Sequence, residues 1–267
     1  MNAKVPVRLD VHLVAEGLAR SRGQARDLVR SGVVRLDGRV MQRASRMVPP
    51  GARVEVDSDG AARWVGRAAL KLLAAFEAFE LDVQGAHCVD VGASTGGFTQ
   101  VLLERGATDV VAIDVGHDQL APLLRQDERV RDLSGHNIRE VDADQVGAPF
   151  DFLVADLSFI SLTLVLDRLR ALLSDTGNGV LLVKPQFEVG RSGLGKSGVV
   201  TSAKNRKQAL ANVTEAALAA GLYPYDLIAS PTPGNTGNRE YLLWVSAVQR
   251  PVQVAALVAA VTSQEDS

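Results

Sequence analysis

Apolar positions along this 267-residue chain follow two regimes. Up to residue 56 they come in short, broken groups. In Val7 to Ala19 (VRLDVHLVAEGLA), Leu9, Leu13 and Val14 share one helical face, and the pattern stops at Gly17. Ser21 and Gln24 stand three apart as a capping box and open a second helix that ends at Gly32. VVRL then reads as a short strand and Asp37-Gly38 as a tight turn. Val40 resumes an extended segment, Pro49-Pro50-Gly51 turns the chain, and ARVEV alternates like another strand. The stretch from Val56 to Trp64 is polar and aperiodic. It reads as a linker over 57–65, between a small α+β domain at 1–56 and a larger one at 66–267.

From Arg67 the apolar runs lengthen and alternate with helical patterns. AALKLLAAFEAF predicts an amphipathic helix, HCVDV a buried strand, FTQVLLERG a helix, and DVVAID, FDFLVAD and GVLLVK three further strands. NRKQALANVTEAALAAG predicts a long helix and REYLLWVSAV a final strand. Helices alternating with strands in this way imply an α/β domain with a largely parallel sheet covered by helices.

Composition narrows the classes. The chain is 46% hydrophobic and 22% charged, enough apolar material for compact cores. Its one cysteine, Cys88, excludes an intrachain disulfide and a cysteine-held zinc or cluster site. No leader and no uninterrupted apolar run of membrane-spanning length stands out, so a cytoplasmic location is expected, with no membrane and no metal. The four histidines, His12, His87, His117 and His136, have no ligand spacing.

Charge is uneven: residues 1–56 carry eleven Lys and Arg against five Asp and Glu. Arg22, Arg26 and Arg30 recur every four residues on one face of the second predicted helix. With no acid apparent to match them, they read as a surface that tracks phosphates, together with Arg8 and Arg20. Residues 1–56 contain no aromatic side chain, so structured RNA recognised by shape and backbone fits better than stacked single strands. SRGQARDLVRSGVVRLDGRV resembles the RNA-binding domain shared by ribosomal protein S-four, some pseudouridine synthases and other RNA modifiers.

The larger domain carries the chemistry. A strand with Asp90 runs into Gly92-Ala93-Ser94-Thr95-Gly96-Gly97 and a helix from about Phe98, which brings backbone amides and a helix N-terminus close to a ligand. Asp114 closes the next strand about twenty residues on, where a carboxylate can accept both hydroxyls of an adenosine ribose. That acid serves NAD and S-adenosylmethionine alike. The dinucleotide fingerprint would place glycine where Ser94 stands, whereas D-x-G-x-S-x-G resembles the first motif of S-adenosylmethionine-dependent methyltransferases. That resemblance implies a Rossmann-like, seven-stranded domain with S-adenosylmethionine as cofactor. The contacts it implies are Asp90, Gly92 to Gly97, Phe98, Asp114, Asn137 and Asp156. A second glycine run, Gly190 to Gly195-Lys196-Ser197, spells a nucleotide-hydrolase phosphate loop. It lies six residues beyond its strand and has Gly198-Val199-Val200 where a helix should begin, so residues 189–200 read instead as a mobile loop over the site.

The methyl acceptor is narrowed by elimination. Asp156-Leu157-Ser158-Phe159 stands where amine methyltransferases carry Asn/Asp-Pro-Pro-aromatic. Cys88 lies within a buried strand, unsuited to attack a pyrimidine, and a radical route needs three cysteines. Lys71, Asp156, Lys184 and Glu240 remain as groups able to organise a hydroxyl, and strand ends should bring at least Asp156 and Lys184 together. These four match the Lys-Asp-Lys-Glu tetrad of FtsJ-like RNA 2′-O-methyltransferases. ADLSFISL, LVKPQFEVG and the Gly/Asn-rich approach to Glu240 resemble the TlyA (hemolysin A) family over nearly the whole chain. There is one local departure, Arg67-Ala68-Ala69-Leu70-Lys71 in place of Arg-Gly-Ala-x-Lys.

The resemblance implies ribose methylation of ribosomal RNA, naked or in assembled subunits, commonly at a cytidine. Lys184 would deprotonate or polarise the hydroxyl, Asp156 and Lys71 would set charge and orientation, and Glu240 would hold the lysines. Two alternatives stand beside it: an RNA-binding assembly factor with a vestigial catalytic domain, and a pore-forming cytolysin suggested only by the family's older name.

Overall fold

The computed structural model describes residues 5–19, 21–30, 32–56, 63–190, 193–195, 197–234 and 236–263. Two compact units result, Met1–Arg67 and Ala68–Ser267. Most of the expected linker, at 57–62, lies outside the described residues, as does Arg20.

In the first unit β1 (Val7–Arg8) precedes α1 (Leu9–Ala15) and α2 (Arg22–Arg30). The chain continues through β2 (Val34–Leu36), β3 (Arg39–Val40), β4 (Met47–Val48) and β5 (Val54–Val56). Leu9, Leu13, Ala25, Leu28, Val29, Val34, Leu36 and Val48 form its core. The first helix starts later than the pattern suggests, because Val7 and Arg8 are taken up by an antiparallel ladder with Val48 and Met47. Ser21 Oγ accepts from Gln24 N at 3.2 Å, the N-terminal half of the expected capping box. Asp37 and Gly38 both adopt positive φ, 49° and 76°, as required at the two central residues of a type I′ turn, and β2 pairs with β3 across them. β5 flanks β2 on its other side.

The second unit runs α3 (Ala68–Ala78), β6 (His87–Val91), α4 (Gly97–Glu104), β7 (Asp109–Asp114), α5 (Pro122–Arg125) and β8 (Val130–Ser134). There follow α6 (Ala143–Val146), β9 (Phe150–Ala155), a 3-10 turn at Leu162–Leu164, α7 (Leu166–Leu172), β10 (Leu173–Val183) and α8 (Pro185–Glu188). The chain closes with α9 (Ala203–Ala219), β11 (Tyr223–Ala229), β12 (Tyr241–Ser246) and α10 (Val254–Ser263). Seven strands form one sheet in the order β11-β12-β10-β9-β6-β7-β8. β12 runs antiparallel to both of its neighbours, and the β10–β9, β9–β6, β6–β7 and β7–β8 pairings are parallel. The core gathers Val89, Val111, Phe150, Leu153, Leu181 and Leu243 from the strands with Leu166, Leu169, Leu210 and Val213 from the helices. Central strands are buried along nearly their whole length, which is why their sequences read as continuous apolar runs.

Two strands lacked that signal. β8 and β11 occupy the two edges of the sheet, with VRDLS half-exposed and YPYDLIA irregular in register between Pro224 and Asp226. The tail after Pro251 forms α10, which packs on α9 and β11 and buries Val258 and Val261.

Candidate active site

The sheet positions the chemistry at the edge where its parallel strands end. β6 delivers Asp90 and then Gly92, whose φ of +87° is open to few residues other than glycine. A Cβ there would lie 2.6 Å from the Asp156 carbonyl oxygen, so the glycine lets the loop touch the end of β9. Asp156 N in turn donates to Val91 O at 2.9 Å. Gly96, at φ +90°, precedes α4, and its missing side chain leaves room for Leu120 and Leu124.

Asp90 is fully buried. Thr99 N and Thr99 Oγ1 donate to its Oδ2 at 2.9 and 2.7 Å, and Oδ1 has no partner among the described residues. Burial pushes the Asp90 carboxyl up to about 7 against those two hydrogen bonds, and the nearby Asp156 charge adds to the rise. Asp114 accepts from Ser94 N at 2.8 Å through Oδ2 and from Gly116 N at 2.7 Å through Oδ1. It therefore ties the glycine loop to the turn after β7. Each oxygen retains a lone pair for a further donor. Asn137 lines a cavity of about 390 Å³ with Arg131, His136, Glu140 and Asp142, beyond the end of β8. A loop with this open backbone, a buried carboxylate oxygen lacking a donor, and a second carboxylate at the next strand end suits a cationic amino-acid nucleoside.

The four tetrad residues form two ion pairs. Lys71, on α3, places Nζ 2.5 Å from Glu240 Oε2, and both side chains are buried. Lys184, just past β10, places Nζ 2.6 Å from Asp156 Oδ1, an approach too sharply bent to be a hydrogen bond, and donates to Ser158 Oγ at 2.8 Å. Val183 stands opposite Tyr241 in the β10–β12 ladder, so Lys184 and Glu240 are the next pair across it. Gln186 closes the arrangement, its Nε2 donating to Glu240 Oε1 at 3.3 Å. Glu240 thus holds Lys71, while Lys184 is held by Asp156 and Ser158.

Ser158 and Gln186 were not among the expected site residues. Each stands two places beyond a tetrad member, in the DLSF and KPQF segments, and that proximity was the only available signal. Glu188, on α8, accepts from Ser161 Oγ and from Leu162 N at 2.9 Å, and so fixes the segment that follows Ser158.

Cys88 is buried and its thiol is pushed up to about 12 by burial, which disfavours a thiolate nucleophile. Lys196 lies outside the described residues. The second glycine run leads into a turn, with Gly198 N donating to Gly195 O, and the next helix begins only at Ala203. Asn238 pins the end of the loop expected to be mobile: Val200 N donates to its Oδ1 at 2.9 Å and its Nδ2 donates to Gly198 O at 3.0 Å.

In the first unit the arginine face is not unmatched. Asp10, buried on α1, receives Arg8 Nε at 3.0 Å and Arg22 Nη2 at 3.1 Å, with Arg26 Nε at 3.6 Å. Helical spacing within α2 cannot reveal this acid, which comes from another helix. The Arg8 hydrogen bond, more than Arg22, holds the Asp10 carboxyl well below the usual carboxylate range against its burial. Arg30 is exposed at the end of α2. No helix among the described residues is long and apolar enough to cross a membrane.

Comparison with known proteins agrees with both units. Residues 64–247 match the FtsJ-like methyltransferase family and residues 7–54 the S4 domain. The chain is 46% identical to the 16S/23S rRNA (cytidine-2′-O)-methyltransferase TlyA of Mycobacterium tuberculosis over 238 residues, 89% of each protein. It is 34% identical to Hemolysin A of Brachyspira hyodysenteriae, covering 88% of this chain and 98% of that protein. A solved structure of a hemolysin candidate from Streptococcus thermophilus superposes with a TM-score of 0.76 at 35% identity, covering 98% of this chain and 97% of that one.

Proposed function

The chain belongs to the FtsJ-like methyltransferases and, within them, to the TlyA family, and from that membership we propose that it methylates the ribose 2′-hydroxyl of a cytidine in ribosomal RNA. The observation that carries the reading is the convergence of Lys71–Glu240 and Lys184–Asp156 on one sheet edge, joined to the glycine loop through the Gly92–Asp156 contact. S-adenosylmethionine, when bound, supplies a methyl group already activated by a sulfonium.

This chain's own residues do the rest. The glycine loop from Gly92 to Gly97 and the start of α4 would hold the methionine end beside Asp90, Asp114 would take the ribose hydroxyls, and Asn137 would face the base. Lys184 Nζ would meet the acceptor hydroxyl and polarise it or take its proton, so that the oxygen is ready for the methyl group the cofactor would supply. Asp156 pairs with the Nζ and would balance its positive charge, and Ser158 accepts from the Nζ and keeps it in place. Glu240, itself held by Gln186, fixes Lys71, whose charge would support the developing oxyanion. Such a site works mainly by alignment and electrostatics.

The basic first unit brings the RNA, and the protein works in the cytoplasm, where ribosomal subunits are its partners. Purified protein, tritiated S-adenosylmethionine and ribosomal subunits from cells lacking the gene test this directly. The label should reside on a ribose oxygen of cytidine after nuclease digestion. Label on a base, or tight subunit binding with no transfer, would overturn the reading in favour of another acceptor or of an assembly factor.

A further inference from the structure

Asp10 has no exposed side-chain surface, yet it gathers three guanidiniums, from Arg8, Arg22 and Arg26, whose side chains are 43, 54 and 53% exposed. One bidentate arginine suffices to pair a buried carboxylate. Arg8 alone supplies that, through Nε at 3.0 Å and Nη2 at 3.1 Å. Two further arginines leave an excess of two positive charges over one carboxylate. The anchor itself is rigid, since Asp10 N donates to Ala44 O at 2.9 Å and Leu9 N to Arg46 O at 2.7 Å.

We infer that Asp10 is a positioning residue that assembles Arg8, Arg22 and Arg26 into a preformed phosphodiester-binding site on the RNA-binding unit. The inference rests on the RNA-binding reading of that unit and adds to it the need for a buried acid. Its carboxylate offsets the mutual repulsion of the guanidiniums and holds their forks, so less side-chain freedom is lost when a phosphate docks. The N–H groups not turned toward Asp10 remain to grip phosphate oxygens in pairs.

Charge counting and preorganisation predict opposite signs. Removing Asp10's charge raises the positive charge of the unit, which on charge alone tightens RNA binding. Under preorganisation the same change weakens it. The test measures binding of the full-length protein to a fluorescein-labelled A-form RNA hairpin and to ribosomal subunits across a salt series, with circular dichroism and thermal melting run alongside.

Asp10→Asn is expected to lose at least about tenfold in affinity, as when a charge-assisted bidentate contact is lost. An Arg22→Lys, Arg26→Lys variant keeps every charge but not the fork, and should lose affinity similarly with its fold intact. A folded Asp10→Asn protein that binds as tightly as wild type or tighter would overturn the inference. Should Asp10→Asn fail to fold, the lysine variant decides: unchanged affinity overturns the inference and loss upholds it. The triple Arg8→Ala, Arg22→Ala, Arg26→Ala variant tests the underlying reading separately. If it binds RNA as wild type does, this face is not an RNA surface at all.

Discussion

Gln186 Nε2 donates to Glu240 Oε1 at 3.3 Å, two residues beyond Lys184, and so connects the strand end that carries one lysine to the carboxylate that holds the other. Neither ion pair can shift without disturbing the element that carries the second. The four side chains should therefore behave as a unit under mutation.

Lys184→Ala is expected to abolish methyl transfer while leaving cofactor and RNA affinity within about threefold, because its contribution is made in the transition state. Lys184→Arg should fail to restore activity, since arginine keeps the charge but cannot accept the proton. Single-turnover assays with titration calorimetry check both. Recovery in the arginine variant would place proton removal elsewhere.

Glu240→Gln leaves the buried Lys71 ammonium without its counter-charge and should destabilise the protein by about 3–5 kcal/mol as well as remove activity. Replacing both partners, Lys71→Met with Glu240→Leu, should recover most of the lost stability and none of the transfer. Denaturant melts of the three proteins measure this. Equal stability of the single and double variants would show that the pair's charges do not compensate each other.

Gly92→Ala introduces a side chain at φ +87° and 2.6 Å from a backbone oxygen, where no rotamer change can relieve the contact. Binding of S-adenosylmethionine should weaken by more than about tenfold, with RNA binding by the first unit unchanged. Calorimetry with the cofactor, and filter binding with RNA, would separate the two. Unimpaired cofactor binding would remove this loop from the site.

Asp90 sets a pH dependence. Its folded carboxyl titrates at about 7, above the value of about 3.9 for an unfolded aspartate. Between those values the folded protein binds a proton that the unfolded chain lacks. This group's contribution to stability therefore falls as pH rises from about 4 to about 7 and is level above. Asp90→Asn should flatten that decline and make the cofactor-free protein more stable than wild type at pH 8. Denaturant midpoints at pH 5, 6, 7 and 8 report it, and identical slopes in the two proteins would show that Asp90 is ionised throughout.

The central strands and the strand-end residues were legible because burial on both faces writes itself as an apolar run, and the residue after such a run lies at the open edge. Asp114, Asp156 and Lys184 could be placed on those grounds alone. The edge strands could not: Val130 and Leu133 are too few to make a run, and Pro224 interrupts the other edge in a way that a single solvated side tolerates. Val7 and Arg8 depart from the helical pattern because partners distant in sequence, Val48 and Met47, override the spacing. Asp10's hold on Arg22 and Arg26 was hidden for the same reason, since a pattern along α2 carries no information about α1.

The reversed last strand has a consequence for how the molecule is made. β12 lies between β10 and β11, although both precede it in the chain, and its approach carries Glu240, 169 residues after Lys71. A nascent chain can thus complete its glycine loop and five parallel strands while β11 still lacks the neighbour that joins it to the sheet. β11 joins the sheet only through β12, and only the approach to β12 gives the buried Lys71 its counter-charge. A chain in which that last strand had not yet closed the gap between β10 and β11 would leave Lys71 without Glu240.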